Sequence, residues 1–174
     1  MTDTPYLGQE MDAMLGQEFL TWLWYRCEAQ PDAFRDARGQ AFQLVMEQRV
    51  VVQGGEGAAL ETATVAGALS QLREARLGLR TGKKVTRAQV HIEADGLAWQ
   101  VNLKAEDLSL SGFRTPQIDK TGDDPDAHFL EKMYLLETGL DKLDAAYSQF
   151  LALRLSAAWP QEAQAVAGWM LNAD

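Results

Sequence analysis

The stretch Gln89-Val90-His91-Ile92-Glu93-Ala94-Asp95-Gly96-Leu97-Ala98-Trp99-Gln100-Val101-Asn102-Leu103-Lys104 decides how this chain folds. Val90, Ile92 and Ala94 alternate with Gln89, His91 and Glu93, and Leu97, Trp99, Val101 and Leu103 alternate with Gln100, Asn102 and Lys104. A period of two over both halves is the signature of half-buried strands. Asp95-Gly96 between them is a two-residue turn of the kind that tolerates positive φ. Folding about that turn sets Ile92 opposite Trp99, Val90 opposite Val101 and Ala88 opposite Leu103, so that all the apolar residues share one face. The polar residues, His91 among them, fall on the other face. A turn at Glu106 and Asp107 then predicts a third strand over 108–110.

Upstream, Phe42, Leu44, Met46, Val50 and Val52 occupy even positions and predict one strand, or two broken near Gln48. Gly54-Gly55-Glu56-Gly57 marks a turn; it lacks the lysine and the spacing of a phosphate loop. A return strand is expected over 58–65, and a helix over 68–80 with Leu69, Leu72 and Leu79 inward, ended by Gly82. At the N-terminus, Met11, Met14, Leu15, Phe19, Trp22 and Leu23 recur at three and four residues and predict an amphipathic helix that stops near Ala29, ahead of Pro31. Its aromatics Phe19, Trp22, Trp24 and Tyr25 read as core anchors rather than a base-stacking platform. The tetrapeptide Leu-Gly-Gln-Glu occurs twice, at Leu7 and Leu15, which is too few copies for a repeat fold.

Downstream, Asp124 is an N-cap, Pro125 the first helical residue and Asp126 a favourable first-turn charge. Phe129, Met133, Leu136, Leu140, Leu143, Tyr147 and Phe150 follow at alternating spacings of four and three, a heptad seam along a helix predicted over 125–156. At 1.5 Å per residue such a helix is about 50 Å long. That exceeds what a small core covers, so it projects or pairs with another helix, and a bend at Gly139 is one outcome of the glycine. A last short helix starts at Trp159-Pro160, with Ala163, Val166, Ala167 and Met170 on its apolar side. The sum is a single α+β domain over 1–174: an antiparallel meander with an N-terminal amphipathic helix and a long C-terminal helix.

A chain of 174 residues, 47% hydrophobic and 24% charged, supports one core. It contains no apolar run of the roughly 20 residues a membrane span needs and begins without a cationic leader, so the expectation is a cytoplasmic protein. One cysteine, Cys27, excludes an internal disulfide. With only His91 and His128 beside it, a Cys/His zinc site is excluded as well, and no metal or other cofactor is expected. Cys27 itself reads as a semi-buried, inert thiol. The acidic pairs Glu106-Asp107 and Asp123-Asp124, with Asp126, are the residue types a divalent-metal nuclease would use, but a turn and a helix start favour Asp there for local reasons. No nucleophile elbow or dinucleotide fingerprint is present, so the chain reads as a non-enzyme, with nuclease chemistry at Glu106, Asp107 or Asp124 the weaker alternative.

The formal charge of -9 argues at first sight against a nucleic-acid partner. Its distribution argues otherwise. Arg73, Arg76, Arg80, Lys83, Lys84 and Arg87 concentrate six of the 16 cations within 15 positions, interrupted only by Glu74. The segment is therefore +5 and the remainder -14. On a helix Arg73, Arg76 and Arg80 lie within an arc of about 60°. These six residues are the candidate phosphate contacts, and with no base-reading motif beside them binding should be indifferent to sequence and weakened by salt.

Gly82-Lys83-Lys84-Val85-Thr86, the two strands after it and a long helix beginning Asp126-Ala127-His128-Phe129 come in an order that resembles the C-terminal half of the RdgC family of bacterial recombination-associated proteins. Phe19-Leu20-Thr21-Trp22-Leu23-Trp24 and Phe42-Gln43-Leu44 are similar to a helix and a strand of that family, and the resemblance spans 15–150. It implies an α+β protein that binds double- and single-stranded DNA without sequence preference, associates with the nucleoid, forms a ring-shaped dimer and restrains the recombinase RecA. Lys83, Lys84 and Thr86 match the family pattern. Two departures stand out: the N-terminal half that helps close the family's ring has no counterpart here, and Gln53-Gly54-Gly55-Glu56 replaces a basic run. The alternative to DNA binding is a protein-interaction module that forms homodimers, or pairs with another helix, through the seam from Phe129 to Phe150.

Overall fold

The computed structural model describes residues 11–54, 61–66, 77–81, 83–118, 121–122 and 124–172. Helix α1 (Met11–Ala29) is followed by a 3-10 turn (Pro31–Ala33) and by strands β1 (Gln43–Gly54) and β2 (Glu61–Ala66). A helical turn at 77–80 leads into β3 (Lys84–Ala94), β4 (Leu97–Lys104) and β5 (Leu110–Arg114), and the chain closes with α2 (Pro125–Arg154) and α3 (Trp159–Leu171). The five strands form one antiparallel sheet in the order β2-β1-β3-β4-β5. The fold is α+β, as the alternation and the helix signals predict.

The hairpin has the register its side-chain pattern requires, with Ile92 opposite Trp99, Val90 opposite Val101 and Ala88 opposite Leu103. Asp95 and Gly96 take φ values of 51° and 75°, the left-handed pair that matches the twist of the strands it joins. One face of β3 and β4 is buried from Val85 and Val90 to Trp99 and Leu103, with Leu97 beside the turn exposed. β1 is a single strand, and the break expected near Gln48 is a bulge within it. Met46 lies opposite Val90 and Val50 opposite Ala88, so β1 advances four residues while β3 advances two. The third strand of the meander begins at Leu110 rather than at Leu108. Asp107 Oδ1 accepts the Ser109 N–H at 3.0 Å and Leu108 adopts φ 54°, which keeps Leu108 in the turn.

Burial runs all round the middle of α1. Every residue from 18 to 25 is buried, because the helix lies against β3 and β1 on one side and is covered by α2 and α3 on the other. Its polar groups inside this layer are matched: Glu18 meets Arg154 at 2.8 Å, and Glu162 accepts from the Trp22 indole and from Arg26. At Gly16 the helix comes so near the end of β4 that an added Cβ would sit 1.8 Å from the Ala105 carbonyl oxygen. Glycine is what permits this approach.

α2 is one continuous helix of 30 residues, about 45 Å long, two residues short of the expected end. Asp124 caps it, accepting from the backbone N–H groups of Asp126 and Ala127, and Pro125 opens it. Gly139 serves packing: a Cβ there would lie 2.7 Å from Trp99 Cδ1 and 2.8 Å from Phe113 Cζ, and one turn earlier the Leu135 carbonyl accepts the buried Trp99 indole N–H at 2.8 Å. The heptad seam divides. Leu143 and Phe150 belong to the core, where Phe150 meets the rings of Phe19, Trp22, Tyr147 and Trp159, whereas Phe129, Met133 and Leu140 are exposed. The buried side of the helix runs through Leu135, Gly139, Lys142, Leu143, Ala146 and Phe150, rotated from the seam by about 80°.

Lys142 is buried because it has a partner. Its Nζ lies 2.6 Å from Asp36 Oδ2, and Asp36 Oδ1 accepts the backbone N–H groups of Arg38 and Gln40. These donors, Lys142 foremost, hold the Asp36 carboxyl below the usual carboxylate range. A depressed folded-state value means that the pair stabilises the fold above the unfolded-state pKa and is lost as pH falls through the folded one. The thermal midpoint is therefore expected to fall as pH drops below about 4, the ordinary Asp value. The deficit of Asp36→Asn relative to the parent should be large at neutral pH, shrinking as acid protonates the parent's Asp36. A deficit independent of pH in a thermal-melt series would contradict this assignment.

Candidate functional site

Both α1 and α2 lie on the apolar face of the sheet, so that among the described residues no helix covers the other face of β3 and β4. By strand alternation that face carries Arg87, Gln89, His91 and Glu93 from β3 and Ala98, Gln100, Asn102 and Lys104 from β4. β5 adds Ser111 opposite Asn102 and Arg114 opposite Gln100, and β1 adds Gln43 and Val45. Its described positions hold no Phe, Tyr or Trp. Amides and cations predominate on this surface, with Glu93 its one carboxylate among these positions and Val45 and Ala98 its apolar ones.

The cations gather at one end. Arg87 lies directly opposite Lys104 in the β3–β4 ladder, two like charges in register. Lys84 precedes the inward-facing Val85 and so points to the same side, while Lys83 is half-buried at the strand entrance and Arg80 is exposed at the end of the helical turn. Glu106, 2.8 Å from Lys104 Nζ, raises the lysine's pKa, with Asp107 adding to it; Arg87 opposes the shift, a sign that the two cations sense one another. Like charges opposite each other in a ladder destabilise it. Here Glu106 and Asp107 outweigh the repulsion from Arg87, so Lys104 is already partnered, and an anion reaching the two cations would compete with Glu106 for it.

Of the six residues singled out by charge, the structure therefore brings Arg80, Lys83, Lys84 and Arg87 to one end of the sheet. Arg73 and Arg76 lie outside the described residues, as do most of the helix expected over 68–80 and most of the turn at Gly54–Gly57. Lys104 and Arg114 were not singled out. Lys104 was legible in the sequence, since it shares the parity of Gln100 and Asn102. Arg114 was not, because its place on this face depends on a bulge in the β4–β5 pairing between Gln100 and Asn102.

The carboxylates considered for metal chemistry have local employment. Glu106 pairs with Lys104, Asp107 closes its turn and has a lowered pKa from the Ser109 hydrogen bonds, and Asp124 caps α2. Asp123 lies outside the described residues. Among the described residues no group of three or more His, Cys, Asp or Glu side chains is disposed to hold a metal ion. His91 Nε2 lies 3.0 Å from Glu93 Oε1 on the open face. Burial pushes the Cys27 thiol up to about 12, which leaves it protonated and unreactive at neutral pH.

A cleft of about 680 Å³ opens between the loop at 35–40, the hairpin turn and α2, with Tyr134, Glu137, Asp141 and Asp144 on its helical wall. Among the described residues no helix is long and apolar enough to cross a membrane. Comparison of the chain with protein-family models, with curated proteins and with solved structures returns no match, so the resemblance to the RdgC family rests on the motifs quoted above.

Proposed function

We propose that this chain binds DNA through the phosphate backbone, without sequence preference, at the cationic end of the open sheet face. The observation that carries the reading is the Arg87–Lys104 pair: two cations held in register on a face that none of the described helices covers, with Lys84, Lys83 and Arg80 leading up to it. Rows of Lys and Arg supply the salt-dependent term that dominates non-specific affinity. The amides of Gln89, Gln100 and Asn102 between them offer donors to phosphate and sugar oxygens, contacts that position a duplex without reading it. The described positions of this face carry no Phe, Tyr or Trp on which bases could stack, which favours contact with the backbone. The order of the motifs shared with the RdgC family supports the same activity, and a role in modulating recombination or replication would follow from it. The acidic remainder of the chain restricts the approach of DNA to this end.

Amide chemical-shift mapping with a short duplex of arbitrary sequence tests the site. Shifts are expected at Lys84, Arg87, Asn102 and Lys104, with α3 and the 36–40 loop unmoved. Perturbations centred on the helical side, or none at low salt, would overturn the reading.

A further inference from the structure

The N-terminal half of α2 carries a second surface, on the helical side of the molecule. Phe129, Leu130, Met133, Tyr134 and Leu140 are between 42% and 66% exposed, and at 100° per residue they fall within a sector of about 140°. Together they leave on the order of 500 Å² of largely apolar surface in water, close to the upper end of the roughly 300–600 Å² found for the largest patch on a monomer, which is often functional. A partner burying a similar area would bring the total to about 1,000 Å², the threshold for a specific interface.

The charges around the patch indicate what covers it. Asp126, Glu131, Glu137, Asp141 and Asp144 stand on the exposed part of this helix against Lys132, five acids to one base, a net of -4. Lys142 does not alter the balance, since it is buried against Asp36. Asp126, Glu137, Asp141 and Asp144 lie on the same side of the helix as the apolar residues, and three of them continue into the wall of the neighbouring cleft. Across that cleft Arg35 donates to the backbone carbonyls of Asp32 and Phe34, and Arg38 is exposed. A second copy docking by this same surface would bring acid against acid along the contact. The seam that would have extended a self-pairing is interrupted as well, because Leu143 and Phe150 are already in the core.

We infer that this half of α2 docks a cationic amphipathic helix from another protein, its apolar stripe on Phe129, Met133 and Tyr134 and its lysines or arginines against Glu137, Asp141 and Asp144. Helix-on-helix recognition with complementary flanking charge uses apolar burial for affinity and the charges for orientation and rejection of wrong partners. The surface is separate from the cationic sheet face, and its occupancy does not depend on DNA.

The test uses the full chain and two fluorescently labelled 18-residue amphipathic peptides that share a leucine face and differ in their flanks, lysine in one and glutamate in the other. Anisotropy titrations should show the lysine peptide binding at least tenfold more tightly than the glutamate peptide. Leu130→Asp with Tyr134→Asp should weaken the lysine peptide at least tenfold even though it adds negative charge, which separates apolar docking from bulk attraction to an acidic protein. Glu137→Lys with Asp141→Lys should reverse the preference between peptides. Circular dichroism should show all variants folded, since every substituted side chain is exposed. Equal affinity for both peptides, binding that survives Leu130→Asp with Tyr134→Asp, or sedimentation showing that the chain self-associates through these residues would each overturn the inference.

Discussion

Phe150→Ala is expected to destabilise the fold by about 3–5 kcal/mol, the range for truncating a fully buried phenylalanine. Phe150 is 0% exposed and lies where three helices meet: its ring centroid is 5.4 Å from Phe19, 5.5 Å from Trp22 and 5.8 Å from Trp159. Removing it empties the junction between α1, α2 and the start of α3. None of the large rings around it can collapse into the space without leaving its own contacts. Phe129 belongs to the same heptad seam and is 63% exposed, so Phe129→Ala should change stability by no more than about 0.5 kcal/mol. Denaturant unfolding of the two variants therefore separates two accounts of the seam. In the structure its ends have opposite environments; equal losses at both positions would mean that the seam is buried along its whole length, as in a paired coiled coil.

The second large effect concerns binding. Lys84→Glu with Arg87→Glu is expected to lower affinity for a labelled duplex by about 100-fold at low salt, since each change removes one phosphate contact and adds a repulsive charge. The same substitutions should not lower the thermal midpoint. Glu at position 87 would stand opposite Lys104, converting a like-charge pair in the ladder into an opposite-charge one. A variant that binds less and melts no earlier would show that these cations serve binding rather than the fold. If binding and stability fell together, the cations would be structural and the proposed site would be wrong.

Much of this architecture was legible from residue order. The β3–β4 hairpin follows from strict alternation about Asp95-Gly96, because a one-residue slip would turn Trp99 and Ile92 into solvent. The start of α2 follows from Asp124-Pro125, where cap and first-turn chemistry are local. What escaped was decided by tertiary contact. Spacing alone could not show that the seam of α2 is rotated by about 80° from the side that meets the protein, since periodicity locates an apolar stripe and not its neighbour. Nor could sequence show that Gly139 is a point of contact with Trp99 and Phe113 rather than a bend. The Asp36–Lys142 pair joins residues 106 apart with no sequence signal at either end. Within the candidate site, the charge run from Arg80 to Arg87 and, through the hairpin register, its partner Lys104 were legible, whereas Arg114 reaches this face only through the bulge between Gln100 and Asn102.

The net charge of -9 would exclude a nucleic-acid partner if charge acted as a total. Screening makes it act locally: at physiological salt the Debye length is about 8 Å. Carboxylates on α2, across the thickness of the sheet, contribute little to the potential where Lys84, Arg87 and Lys104 stand. They matter at longer range, in orienting the molecule as DNA approaches.

The most direct test is the salt dependence of binding to a fluorescent duplex of arbitrary sequence. With Arg80, Lys83, Lys84, Arg87 and Lys104 each neutralising one phosphate, the logarithm of the affinity should fall linearly with the logarithm of salt concentration, with a slope of about -4.5. Duplexes of different sequence should give the same line, and Lys84→Glu with Arg87→Glu should reduce the slope by about 2. No binding at about 50 mM salt, or an affinity that salt leaves unchanged, would contradict the account.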